Sequence, residues 1–304
     1  MLGLFLLTIR ELRARKVVMG LFVVSTFIWV GLALALQLDV VDGSLAGARL
    51  FGQETIEEPF DPSAPMTDSE GNPIRDSDGN VRMQSDQLEF GSTLLEEVVF
   101  GAQAFVSGAA YWIGIILALF ATGGLVAALT ERGQVDVILT KPLSRTQVLS
   151  GRLLAVMAVM LALSTYLFGT VWLTMSIKSG IWNPRFLLAI GVVFGMFAVV
   201  YGVVTLVGVW SGSGPLSMVV TLGVLFMSLI LAIPELANQI RLPWRHLVEG
   251  GYHALPKFAA VGSQIVPQLA TGNAVVSLYP LASSLAFGAA CYGLAFVIFA
   301  RKDF

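Results

Sequence analysis

The sequence predicts an all-α integral membrane protein: six transmembrane helices, an N-terminal interfacial elbow helix, and a large outer loop between spans one and two. Three observations predict it. Only 12% of the 304 residues are charged while 56% are apolar, against roughly 25% charged in a soluble domain, so too little polar surface exists to cover an aqueous shell. The mean hydropathy is +0.80. Between Arg185 and Glu235 runs a stretch of 49 residues with no Asp, Glu, Lys, Arg or His, broken near its middle by Ser211-Gly212-Ser213-Gly214-Pro215. Each half is about 20 residues, enough to cross a hydrocarbon core of roughly 30 Å, and Gly-Ser-Gly-Pro is turn chemistry.

Taken along the chain, residues 1–16 set Leu, Phe and Ile against Arg, Glu and Lys, the pattern of an amphipathic helix lying in the interface. Span one is expected over 17–38, span two over 105–129, span three over 153–177, span four over 186–210, span five over 215–233 and span six over 281–300. Residues 39–104 hold fourteen of the twenty acidic residues and read as an acidic outer loop or small outer subdomain. Its end, with Leu94, Leu95, Val98 and Val99, reads as an interfacial helix before span two. Within the loop, Asp68–Arg75 is followed by the similar Asp76–Arg82, which implies two Gly-Asn turns. A calcium loop is the lesser reading, since Asp76, Asp78 and Asn80 alternate but no Glu closes the set. Residues 234–280 carry Pro234, Pro243, Pro256, Pro267 and Pro280, too many for a regular span, so re-entrant or interfacial helices are expected there.

Orientation follows from Lys and Arg at the span ends. Arg10, Arg13, Arg15 and Lys16 precede span one, and Arg132, Lys141, Arg145 and Arg152 lie between spans two and three. Those segments, and the 301–304 tail, are expected on the cytoplasmic side of a prokaryotic inner (plasma) membrane. They hold ten basic and four acidic residues, the remaining segments eight basic and sixteen acidic.

Several chemistries lack their residues. One cysteine, Cys291, excludes a disulfide framework within the chain. No lysine follows a glycine, so the Gly-Lys-Ser/Thr core of a phosphate loop cannot form. A net charge of −2 without a concentrated basic face argues against a nucleic-acid partner. The expected spans contain no histidine and no Asp, Glu, Lys or Arg, which disfavours intramembrane proteolysis and ion-coupled carriage. His246, Glu249 and His253 would share one helical face and form a candidate zinc or copper set, but Gly250-Gly251 interrupts that helix. The bland reading, solvated histidines, is preferred, and no metal or other cofactor is expected in this chain. Gly191 and Gly195 form a small-xxx-small pair suited to close packing, within the subunit or between subunits.

The segment 130–152 is the most informative. Val135, Ile138 and Leu139 form one apolar stripe on a short, otherwise polar helix, and Pro142 stops it. Ser144 and Gln147 then match a capping box, so one helix should run from here into span three. A short helix with an apolar stripe needs a partner groove, and a push on it would reach the bilayer.

Here the sequence resembles the permease subunits of ABC transporters of the ABC-2 export class, the type V architecture. The resemblance rests on Glu131, Gly133, Asp136, Ile138, Leu139, Lys141, Pro142, Ser144, Arg145, Gly151 and Arg152 in matching order and spacing. It extends to the elbow, the outer loop, the six spans and the Phe299–Phe304 ending; the general layout is similar to the permease of nitrous-oxide reductase maturation. The resemblance implies two permease copies, alike or different, each docking the 131–141 helix, with Val135 on its stripe, into a separate ATP-binding subunit. ATP and magnesium would sit on that subunit, and this chain would not itself be an enzyme. Uncharged spans with Trp112, Trp172 and Trp210 favour an amphipathic or lipid-like exported substrate over a bare ion. Two rival readings stand beside it: a mechanical transmission subunit acting on an outer partner held by 39–104, and a membrane-embedded metal enzyme using His246, Glu249 and His253.

Overall fold

The computed structural model describes residues 16–41, 44–50, 65, 73–75, 81, 84–127, 144–233 and 250–302. Five helical stretches are long and apolar enough to cross a membrane: Leu95–Val126, Thr146–Ser179, Pro184–Ser211, Gly214–Leu231 and Tyr279–Arg301. A shorter apolar stretch, Val18–Leu34, lies within α1 (Lys16–Ala35). The expected elbow helix, calcium ligands and coupling stripe lie outside the described residues, as does the 234–249 part of the broken segment.

α1 stops at Ala35 rather than at 38, because the pattern there changes period. Leu36, Leu38 and Val40 alternate with Gln37 and Asp39, and β1 (Leu36–Val41) pairs antiparallel with β2 (Ser44–Leu50), from Leu36↔Leu50 to Val41↔Ser44. Only Asp42-Gly43 separates the strands, the composition that a two-residue hairpin turn selects. Further on, Arg75, the last residue of the first repeat, forms an isolated antiparallel bridge with Val81 of the second.

Span two begins much earlier than expected. α2 (Gln84–Ala109) continues through a π turn at Ala110–Gly114 into α3 (Ile115–Thr122), and past Gly123, whose backbone stays helical, into α4 (Gly124–Ala127). Residues 94–104, expected as a separate interfacial helix, are therefore turns of the same helix, since nothing from Leu94 to Ala109 breaks it. Span three is α5 (Arg145–Ser179), 35 residues that start at the Ser144 cap and end at Gly180, held in the left-handed region at φ 76°. After a short 3₁₀ turn at Pro184–Leu187, α6 (Leu188–Ser211) ends at the left-handed Gly212. Ser213 accepts a hydrogen bond from the Leu216 N–H and Pro215 opens α7 (Gly214–Leu231), so this turn is closed from both sides. Then come α8 (Phe258–Ala260), a second π turn at Val261–Ile265, α9 (Val266–Ala270) and α10 (Tyr279–Arg301).

α6 is the hub, with Met196, Phe197, Val200, Tyr201 and Val204 buried. Its closest approach is to α10: a Cβ on Gly202 would lie 3.2 Å from the Gly288 carbonyl oxygen, and one on Gly288 would lie 2.9 Å from Val199 Cα. The intramolecular close packing thus falls at Gly202 and Gly288. A Cβ on Gly191 would meet nothing within 4 Å, and one on Gly195 only Leu285. Lys302 ties the end of α10 to α6, its Nζ donating to the Val209 carbonyl at 2.7 Å.

The outer surface of the bundle is as apolar as its core. Phe27, Phe105, Trp210 and Phe226 are 74%, 71%, 69% and 63% exposed. In water each would forgo about 1.5 to 3 kcal/mol of burial, whereas in hydrocarbon the exposure carries no such cost. The exposed faces and the span lengths agree on a membrane-embedded protein.

Candidate functional site

Of the residues singled out in 131–145, the structure describes Ser144 and the backbone of Arg145. Both halves of the capping box are made: Gln147 N–H donates to Ser144 Oγ at 3.3 Å, and Ser144 N–H donates to Gln147 Oε1 at 3.1 Å. The first turn of α5 therefore satisfies two otherwise orphaned donors and is anchored where the preceding segment ends. Leu149, Arg152 and Leu153 bury within the next two turns.

Higher on the same helix, Met160, Leu163, Ser164, Leu167 and Phe168 form one wall of an apolar cavity of ≈ 280 Å³. The other walls come from Leu21, Val24, Ser25 and Ile28 of α1, Ala110, Ile113 and Gly114 of the π turn, and Val193 and Phe197 of α6. Among the described residues no charged side chain lines it. Val24, Ile113 and Leu117 at its rim are exposed, so the cavity is a groove open to the side of the bundle. Ser25 Oγ donates to its own helix at Leu21 O, 2.8 Å away, which removes that hydroxyl from the demand for a polar ligand. An acyl chain or a similar apolar group suits these walls, and the volume is near the lower end for small-molecule sites.

Two features shape the groove. The π turn widens the helix by one residue per turn and presents small residues, Ala109, Ala110 and Gly114, towards the space. α1 is held to α5 by Tyr166, whose hydroxyl accepts from Trp29 Nε1 at 2.9 Å and lies 3.1 Å from Thr26 Oγ1, while Phe22 stacks on its ring.

The opposite face of the π turn carries Tyr111 and Trp112, which pack on the α8–α9 segment. Tyr111 Oη donates to the Phe258 carbonyl at 2.6 Å and its ring stacks on Phe258 with centroids 4.6 Å apart. Gly262 of the second π turn lies against both aromatic rings, so close that a Cβ there would stand 2.5 Å from Tyr111 Cε1. Beyond it, the buried Asn183 amide donates to Gln103 Oε1 and to the Ala270 carbonyl, each at 2.9 Å, and Trp172 Nε1 donates to the Asn183 carbonyl. One amide thus joins α2, the α5–α6 connection and α9.

Lys257 is the residue that sequence reasoning passed over. It is 3% exposed, and its Nζ donates to Ser283 Oγ at 3.2 Å beneath the rings of Tyr252 and Tyr279. The signal was present: Lys257 is the sole Asp, Glu, Lys or Arg between Glu249 and Arg301. His253 is exposed, edge-on to Tyr252, while His246 and Glu249 lie outside the described residues. Among the described residues no group of three metal-ligating side chains occurs.

Fold and site together define a helical membrane protein with a laterally open apolar groove, one wall of which is a capped helix rising from the 130–143 segment. No protein-family model matches the chain, and no curated protein matches it.

Proposed function

We propose that this chain is the membrane subunit of an ATP-driven exporter of the ABC-2 type, moving an amphipathic or lipid-like substrate across a prokaryotic inner membrane. One observation supports it above the others: the helix that starts at the Ser144 cap, immediately after the 131–143 series, also forms a wall of the groove. The 35 residues of α5 span about 52 Å as one rigid rod at 1.5 Å per residue. A displacement of the coupling helix by a closing ATPase pair would enter α5 at the Ser144 cap and reach Met160–Phe168 with no further break in the helix. In this reading α1 is the sixth span, both termini are cytoplasmic, Val135, Ile138 and Leu139 dock into the ATP-binding subunit, and two permease copies pair.

The test is purification from native membranes in mild detergent, with mass spectrometry of the co-eluting proteins, for the wild type and for Leu139→Asp. A phosphate-loop ATPase that co-elutes with the wild type and is lost in the variant supports the reading. An ATPase retained by an inserted Leu139→Asp chain, or none with either, refutes it.

A further inference from the structure

The most unexpected group in the molecule is the Lys257 ammonium, because it is buried close to the far end of the bundle from Val126, Gly214 and Arg301. Tyr111, which bonds to Phe258, stands fifteen residues, or about 22 Å, from Val126 at the lower end of its span. Ser228, which holds the backbone on either side of Lys257, is fourteen residues, about 21 Å, above Gly214. Ser284, which accepts the Lys257 N–H, is seventeen residues, about 26 Å, above Arg301. Three helices therefore agree that Lys257 lies some 21 to 26 Å from the end of the bundle that holds Val126, Gly214 and Arg301, which in a hydrocarbon core of roughly 30 Å leaves it about 4 to 9 Å from the opposite face. A charge buried in protein is costly without an anionic partner, and this one is buried within reach of the headgroup level on that face.

The surroundings are built to hold this cation, not merely to tolerate it. The Lys257 N–H donates to Ser284 Oγ at 2.9 Å, Phe258 N–H donates to Ser228 Oγ at 3.3 Å, Ser228 Oγ donates to the Pro256 carbonyl, and Tyr111 clamps Phe258 O. Among the described residues the ammonium's own partners are all neutral: Ser283 Oγ and the faces of Tyr252 and Tyr279, whose centroids lie 5.1 and 4.3 Å away. Among the described residues, one hydroxyl and two rings leave its single positive charge without an anionic partner. Tyr279 is 58% exposed and flanked by the exposed Leu278 and Val276, so one ring separates Nζ from the apolar surroundings of the bundle.

We propose that Lys257 and Ser283, roofed by Tyr252 and Tyr279, bind the phosphate of an anionic membrane phospholipid. The ammonium supplies a point charge for the phosphodiester, Ser283 a second polar contact, and the exposed apolar rim accommodates the acyl chains. A choline headgroup is disfavoured because its own cation would be brought next to the ammonium. The site is independent of whether an ATPase docks below.

The test is native mass spectrometry of the purified full-length chain titrated with phosphatidylglycerol or phosphatidylcholine. The wild type should retain phosphatidylglycerol with an affinity at least tenfold higher, Lys257→Met should lose that preference, and Lys257→Arg should keep it. Absence of a preference in the wild type, or its persistence in Lys257→Met, overturns the proposal. Competition by millimolar inorganic phosphate alone assigns the pocket to a soluble anion and overturns the lipid. Should Lys257→Met fail to fold, photoreactive phosphatidylglycerol on the wild type decides. Adducts on peptides covering 250–257 or 276–284 support the site, and adducts elsewhere only refute it.

Discussion

Gly262→Ala puts the packing of the two π turns to a quantitative test. The added methyl carbon would stand 2.5 Å from Tyr111 Cε1 and 2.7 Å from Trp112 Cζ2, where carbon contacts prefer about 3.5 to 4.0 Å. Tyr111 must retreat by about 1 Å, yet it is fully buried, stacked on Phe258 and hydrogen-bonded to the Phe258 carbonyl. Overpacking costs about 1 to 3 kcal/mol, and losing the phenol's hydrogen bond about 1 kcal/mol. Alanine's better helix propensity returns up to about 1 kcal/mol. The expected net loss is about 1 to 3 kcal/mol, read by reversible unfolding in mixed detergent micelles. In a Tyr111→Ala background the main obstruction is gone, so the same substitution should cost at least about 1 kcal/mol less. Equal costs in the two backgrounds, or a stabilised wild-type Gly262→Ala, would refute the packing argument.

Two further substitutions probe the ends of the spans. Asn183→Ala strips a buried amide that serves Gln103 Oε1 and Ala270 O; the acceptors left unpaired predict a loss of about 2 to 4 kcal/mol, with faster hydrogen exchange over 266–272. Ser144→Ala removes the cap of α5 and should cost about 0.5 to 2 kcal/mol. Its signature is local, faster exchange at Gln147 and Val148, with exchange in the middle of α5 unchanged.

How much of this was legible depended on the length scale of the signal. The charge-free runs and the Gly-Ser-Gly-Pro break located α6 and α7 to within a few residues, because hydrophobic length and a proline-closed turn act locally. The Ser144–Gln147 box was equally readable, since both partners lie within four residues. The helix that holds span two starts well before 105, because the stretch around Leu94 to Val99, read as an interfacial helix, runs into it without a break. The hairpin after α1 had its signal in Asp42-Gly43 and the alternation before it, but the excess of acidic residues drew attention instead to a loop. For the groove there was no sequence signal, as it results from a π turn and from Tyr166 meeting Trp29, residues 137 apart. Lys257 is likewise a product of tertiary structure: one lysine in a proline-broken segment carries no sign of burial until Ser228, Ser284 and Tyr111 are seen to hold its backbone.

The central claim, that α5 carries motion from a docked ATPase to the groove, is tested most directly at position 139. A photo-crosslinking amino acid in place of Leu139, activated in native membranes, should give one dominant protein adduct. The account predicts that this adduct contains a phosphate-loop ATPase and that its yield changes when ATP is depleted. Adducts with lipid alone, or with a protein lacking a nucleotide site, would contradict it.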